Sequence, residues 1–267
     1  MTVEDQSVVL CSISDDGIAR IRLNRPEASN GMDTELLRAL NDAVLTCHGD
    51  PRVKVVVLTG EGKNFCAGGD VKTFASKGER LPDYLREATA WLQIATASLL
   101  RLKCPVVVGV QGFAAGGGGL GLLCAADFVI ATRSARIFSG AVRVGMAPDG
   151  GATVTLAQIV GVRKALEILL TNPTLTAAEA HEIGLINEVV EDDELDTRII
   201  ELATTFTALP PLAVAATKRL VWDGVGAPIE SRLGEEARVV SALSGTADSL
   251  EGLAAVIERR QPRFIGA

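Results

Sequence analysis

From Cys104 to Ala126 the chain runs 23 residues without a charge. That is long enough to cross a bilayer as a helix, which takes about 20 apolar residues. Seven glycines and one proline inside the stretch argue against that use, because both residue types weaken a helix interior. Its first half, CPVVVGV, is apolar and β-branched and reads as a buried strand. Its second half, QGFAAGGGGLGLLCAA, reads as a glycine-rich turn entering a buried helix. Such a strand–turn–helix unit needs cover on both faces, which points to an α/β body and no membrane partner.

The rest of the chain agrees with this frame. SVVLCSISDDGIARIRLNRP predicts two strands around an Asp15-Asp16-Gly17 turn. Residues 33–47 carry Leu36, Leu37, Leu40 and Val44 at helical spacing, with Asp33 placed to cap them. VKVVVLTG (53–60) and DFVIA (127–131) read as further buried strands, and 85–102 as a helix stopped before Pro105. Beyond Thr176 helical periodicity takes over, at 176–183, 192–207, 210–222, 229–242 and 247–259. The expected division is an α/β core over 1–200 and a helical region over 201–267. That region has little α/β body to cover its apolar faces, which predicts self-association.

Charge and cysteine usage narrow the chemistry. A net charge of −7 excludes general nucleic-acid binding. Two local arginine groups, Arg20/Arg22/Arg25 and Arg259/Arg260/Arg263, leave room for a small anionic ligand. The five cysteines are odd in number and show no CxxC spacing, so neither a disulfide framework nor a zinc knuckle is expected. With two histidines, His48 and His181, both in predicted helices, no metal site is expected. The opening MTVEDQSVVL lacks the basic and apolar regions of a signal peptide, so the cytoplasm is the expected compartment.

Two glycine-rich loops each follow a strand and precede a helix: GEGKNFCAGGDVKTF (60–74) and QGFAAGGGGLG (111–121). Gly116, Gly118 and Gly121 satisfy a dinucleotide GxGxxG, but the acid that should follow about 20 residues later is missing from RIFSGA (136–141). A more general use is the exposure of backbone N–H groups at the positive end of a helix. Two such loops could hold two donors around one oxygen that gains charge during a reaction. Packing of helix on sheet is the bland alternative. A third loop, RVGMAPDGGATV (143–154), carries a single acid, Asp149, in a Pro-Asp-Gly turn. Turn chemistry alone accounts for it, and Asp149 could also cap a helix beginning near Gly151.

The motifs IRLNRPEASNGMD (21–33), LTGEGKNFCAGGDVK (58–72), PVVVGVQGFAAGGGGLGLLCAADFVIA (105–131), VGMAPDGGAT (144–153), LLTNPTLTAAEAHEIGLINEVV (169–190) and EGLAAVIERRQPRF (251–264) occur in one order. In that order the chain resembles the enoyl-CoA hydratase/isomerase (crotonase) superfamily nearly end to end. The resemblance implies an α/β crotonase fold of stacked ββα turns with a C-terminal helical trimerisation region, in homotrimers or dimers of trimers. It implies an acyl-coenzyme A thioester as substrate, with no other cofactor, and two backbone N–H groups that stabilise its enolate. The first donor falls on Gly69. Counting back from Asp127 places the second on Gly118, which is preferred; counting forward from Gln111 places it on Gly117. Coenzyme A contacts fall near Arg25, Ala28, Ala67, Asp70 and Val71, and Phe264 and the arginine tail near the adenine and phosphates.

Departures from the family pattern carry the finer reading. Hydratases of the family add water with two carboxylates, and here the corresponding places hold Leu120 or Gly121, and Ala141. In relatives that move a double bond, or displace a halide from an aryl-CoA, the acid sits in the PDG turn. The tryptophan of the dehalogenases is replaced by Ala141. The resemblance therefore favours an isomerase with Asp149 as proton shuttle, its basicity raised by an apolar wall of Val142, Met146 and Ala147. Hydration, dehalogenation and non-catalytic acyl-CoA binding are the alternatives.

Overall fold

The computed structural model describes residues 7–267. The first six residues, part of the leader reading, lie outside the described residues. Strands β1 (Val9–Ile13) and β2 (Ile18–Leu23) form the expected antiparallel hairpin. Helix α1 (Thr34–Gly49) starts where the Asp33 carboxylate accepts the Leu36 N–H at 2.9 Å. Then follow β3 (Val55–Gly60), α2 (Val71–Lys77), α3 (Leu81–Arg101), β4 (Val106–Val110), β5 (Phe113–Ala115) and α4 (Gly116–Cys124). Next come β6 (Phe128–Thr132), β7 (Arg136–Phe138), α5 (Ala152–Val160), α6 (Val162–Leu166), β8 (Leu175–Thr176), α7 (Ala177–Glu182) and β9 (Glu188–Val190). The chain closes with α8 (Leu195–Thr207), α9 (Pro211–Gly224), α10 (Glu230–Leu243) and α11 (Ala247–Glu258).

The main sheet has six strands in the order β1-β2-β3-β4-β6-β9, parallel from β2 onward. Its side chains alternate between two cores, as strand geometry requires. Val56 and Leu58 of β3 and Val106 and Val108 of β4 face α1 and α3. Val55, Val57 and Val107 face the opposite way, toward Leu195, Ile199 and Ala203 of α8. Burial on both faces explains why these strands read as unbroken apolar runs. Helix α8 spans the expected 200/201 division, and its inner face belongs to the body.

A second sheet, β5-β7-β8, was not anticipated. It is joined to the loop after β3 by a bridge between Cys66 and Ala114. The uncharged stretch folds as the expected strand and helix, β4 and α4, with β5 where a turn was expected, and no single helix among the described residues is long and apolar enough to cross a membrane. In the helical region the apolar faces are open: Ile229, Val240, Leu253, Val256 and Ile257 are all exposed. The one buried residue of α9 is Lys218.

Candidate active site

The two glycine loops meet. A Cβ at Gly68 would stand 2.7 Å from the Ala115 carbonyl oxygen and 2.9 Å from Gly116 Cα. Both residues have positive φ, 91° and 63°, so glycine is demanded there twice over, by conformation and by space. The Ala115 N–H donates to Cys66 O at 2.9 Å, which fixes where α4 begins relative to the first loop. Backbone bonds on either side of Gly69 run from Met32 N to Gly68 O (2.7 Å) and from Asp70 N to Met32 O (3.0 Å). The Gly69 N–H itself has no acceptor among the described residues. Helix geometry likewise leaves the first amides of α4 without intrahelical partners, so Gly117 and Gly118 present N–H groups at its positive end.

The tetraglycine run is also a packing device, more fully than its sequence suggests. A Cβ at Gly118 would strike the Met32 thioether, and one at Gly119 would come within 2.5 Å of Cys66 O. A Cβ at Gly117 would collide with Asp149 Oδ1. The carboxylate of the PDG turn therefore lies directly on the N-terminal turn of α4.

Asp149 does not cap α5. That place is taken by Gly151, with a φ of 80° and no side-chain cap bond. Burial pushes the Asp149 carboxyl above its ordinary value, and a bond from its own backbone N–H offsets this only in part. The direction is the one expected from an apolar wall of Val142, Met146 and Ala147, but those residues are open in this chain. Val142 and Ala147 are exposed and Met146 is half-buried. The neighbour that the structure places against the carboxylate is Gly117 of α4.

Five of the residues assigned to coenzyme A converge beside Gly69. The turn 25–31 and the loop 61–70 are joined through buried Asn30, whose Nδ2 donates to Glu61 O (3.0 Å) and Asn64 O (2.8 Å). Ala67 donates its N–H to Ser29 O at 3.0 Å, one residue past Ala28. Arg25 is largely occupied. Its guanidinium pairs with Asp33 at 2.8 Å and Asp70 at 3.4 Å, and donates to Gly31 O at 2.7 Å. It thus ties together the caps of α1 and α2. Burial pushes the Asp70 carboxyl up, but bonds from Thr73 and the Arg25 charge outweigh it and hold the group below the usual range. Val71 is exposed beside this cap.

Phe264 stands apart, half-buried against Gly252 of α11. Of the tail arginines, Arg260 is paired with Glu251 and Glu258 at 2.6 Å each, and Arg22 with Glu61 at 2.6 Å. In each arginine group part of the charge is thus already paired, while Arg20, Arg259 and Arg263 make no ion pair among the described residues. His48 and His181 bond main-chain carbonyls of Ser98 and Ile186, as structural histidines do. Asn30, which holds the two loops in register, gave no sequence signal beyond its place in a turn-rich segment.

Comparison with known proteins agrees with this arrangement. Residues 14–267 match the family model described as enoyl-CoA hydratase/isomerase. A probable enoyl-CoA hydratase of Rhodobacter capsulatus is 36% identical over 251 residues, 94% of this chain and 95% of that one. A trans-2-decenoyl-[acyl-carrier-protein] isomerase of Streptococcus mutans is 31% identical over 254 residues, covering 94% and 96%. The crystal structure of an enoyl-CoA hydratase from Bacillus anthracis superimposes with a TM-score of 0.92 at 30% identity, over 97% of this chain and 100% of that chain. With its paired glycine loops and stacked sheets in the crotonase fold, the chain belongs to the enoyl-CoA hydratase/isomerase family of acyl-CoA-transforming enzymes.

Proposed function

We propose that this enzyme moves a carbon–carbon double bond along an acyl-CoA thioester, with Asp149 carrying the proton. One observation carries the reading: the Asp149 carboxylate, its basicity raised by burial, lies on Gly117 at the positive end of α4. The positions at which a water-adding pair would need acids hold Leu120, which is fully buried, or Gly121, and Ala141. A single carboxylate suffices for a 1,3-shift, because the proton removed from one carbon is returned to another. The thioester oxygen, charged in the enolate, would accept from Gly69 N–H and from an amide of α4. Each such donor is worth about 3 kcal/mol in comparable sites.

For the second donor the geometry favours Gly117 over the preferred Gly118. The start of α4 is fixed by the Cys66–Ala114 bridge, whereas the helix ends in a turn at Ala125 with bifurcated bonds, where one extra residue is easily absorbed. Gly117 also touches the acid, whereas Gly118 packs on Met32. Coenzyme A would run along the 25–31 and 61–71 walls. Phe264 would reach an adenine only from a neighbouring copy or after the tail moves. The open apolar faces of α10 and α11 support a trimer or a dimer of trimers, and a monomer in light scattering at micromolar concentration would remove that assignment.

The test is a panel of straight-chain, branched and aromatic enoyl-CoAs, with products identified by mass and NMR. Isomerisation leaves the mass unchanged, and hydration adds a water. Predominant hydration would overturn the reading in favour of the activity named for the R. capsulatus relative, and binding without turnover would leave an acyl-CoA-binding protein. Gly117→Ala provides a geometric check. Its Cβ would drive the carboxylate aside, so turnover is expected to fall at least about tenfold, as misplacement of a base by an ångström does. A folded Gly117→Ala protein with full turnover would separate Asp149 from the α4 amides.

A further inference from the structure

A cleft of about 450 Å³ opens on the side of the main sheet away from α1 and α3. Val57 of β3 and Leu195 and Ile199 of α8 form its apolar floor, and all three belong to the core beneath α8. Its polar lining carries both signs of charge. Arg20 and Arg22 come from β2, two residues apart and so on one face of the strand. Asp192, Asp193 and Asp196 come from the entry to α8. Part of this charge is satisfied: Arg22 pairs with Glu61 at 2.6 Å, and Asp192 accepts the Ser134 N–H at 3.0 Å. The side chains of Arg20, Asp193 and Asp196 make no ion pair or hydrogen bond among the described residues. Gln111, which follows β4, lines the same cleft. Its Nε2 donates to Gly60 O and Gly62 O, which fixes the orientation of the amide. Its Oε1 is buried and has no partner among the described residues, whereas buried acceptors normally have one.

We propose that the cleft is a binding site for an aliphatic amino-acid zwitterion, with its carboxylate on Arg20 and its ammonium on Asp193, Asp196 and Gln111 Oε1. A ligand of one charge would leave part of the opposed set unpaired, whereas a zwitterion meets both. A guanidinium presents a planar fork that a carboxylate fills with two hydrogen bonds. An ammonium has three donors and no acceptor, and the cleft offers it two free carboxylates and one open amide oxygen. The apolar floor takes the aliphatic side chain. The volume lies within the range of small-ligand sites. No group of three or more His, Cys, Asp or Glu side chains among the described residues could hold a metal ion, so the carboxylates call for an organic cation. Gly69, Asp149 and the α4 amides do not line the cleft, which meets the proposed coenzyme A wall only at Glu61 and Gly62. The ligand is therefore distinct from the acyl-CoA substrate.

The test is calorimetric titration of the full-length protein with L-leucine and with two analogues, leucinamide, which lacks the carboxylate, and 4-methylpentanoate, which lacks the amine. Saturable binding of one leucine per chain is expected, with each analogue weaker by about tenfold or more, as loss of a charge-assisted contact implies. Arg20 and Asp196 are both exposed, so their replacement is expected to leave the fold intact. Arg20→Gln is expected to weaken leucine by about tenfold or more and to leave leucinamide unchanged. Asp196→Asn is expected to weaken leucine and to leave 4-methylpentanoate unchanged. A general loss of structure would weaken every ligand alike and would not give this crossed pattern. No saturable heat with leucine at millimolar concentration would overturn the proposal. Equal affinity for leucine and 4-methylpentanoate, or wild-type leucine binding in Arg20→Gln, would do the same.

Discussion

Asp149→Asn is expected to lose most turnover while keeping or raising the melting temperature. The two effects come from one cause. Asn preserves the volume and turn propensity of Asp at this position but cannot accept a proton. If Asp149 is the shuttle, turnover falls by about 100- to 10,000-fold, the usual worth of a positioned base. The stability effect follows from linkage. An unfolded Asp titrates near about 3.9, and burial raises it in the folded state. The folded protein then binds this proton more readily than the unfolded chain. Its stability is greatest when the group is protonated and declines as pH rises through the raised value. At neutral pH the ionised Asp149 is a cost, and a neutral Asn removes it. A turn residue with no catalytic duty would give the opposite pattern, with activity near wild type. The activity of the unmodified enzyme should rise with pH along a limb set above the ordinary carboxylate range, and Asp149→Asn should lack that limb. Near wild-type turnover on the best substrate would send the search for the base elsewhere.

This residue also marks where sequence reading stopped. Pro148-Asp149-Gly150-Gly151 is compatible with a turn, a helix cap or a catalytic acid, because all three use the same carboxylate. What separates them is the neighbour on α4, which lies more than 30 residues away in the chain. Gly151 takes the cap in a left-handed conformation, and the carboxylate is left to pack on Gly117. Elements that write their burial into local pattern were legible. β3 and β4 are buried on both faces and so appear as β-branched runs, and α1 announces itself by its Asp33 cap and its leucine spacing. β5, β7 and β8 span two or three residues each, FAA, RIF and LT. They are strands by virtue of backbone partners elsewhere, and no side-chain period of such length can signal them. Arg25 was read as a ligand contact from its place in the first motif. Its pairing with Asp33 and Asp70 depends on two helix starts that converge only in three dimensions.

The second large effect concerns a residue no pattern singled out. Lys218 sits on α9 and reads as one more surface lysine, yet it is 9% exposed. Its Nζ lies 2.6 Å from Asp127 Oδ2 and donates to the carbonyls of Cys104 (3.0 Å) and Leu99 (3.3 Å). Asp127 accepts in addition from Val106 N at 2.7 Å and from Trp222 Nε1 at 2.9 Å. The network binds the first tail helix to the entry of β4 and the end of α3, and α9 buries no other residue. Lys218→Met keeps the length of the stem but strands a buried carboxylate and two carbonyls. Removing one partner of such a pair costs about 3–5 kcal/mol. At about 2–4 °C per kcal/mol for a chain of this size, the melting temperature should fall by about 6–20 °C at fixed protein concentration. Adding Asp127→Asn removes the stranded charge, so the double variant is expected to recover a large part of the loss. Additive losses in the double variant would mean that the cost lies in the lysine's packing and carbonyl bonds rather than in its charge. A Lys218→Met protein as stable as wild type would mean that the tail is held by its apolar faces and not by this ion pair.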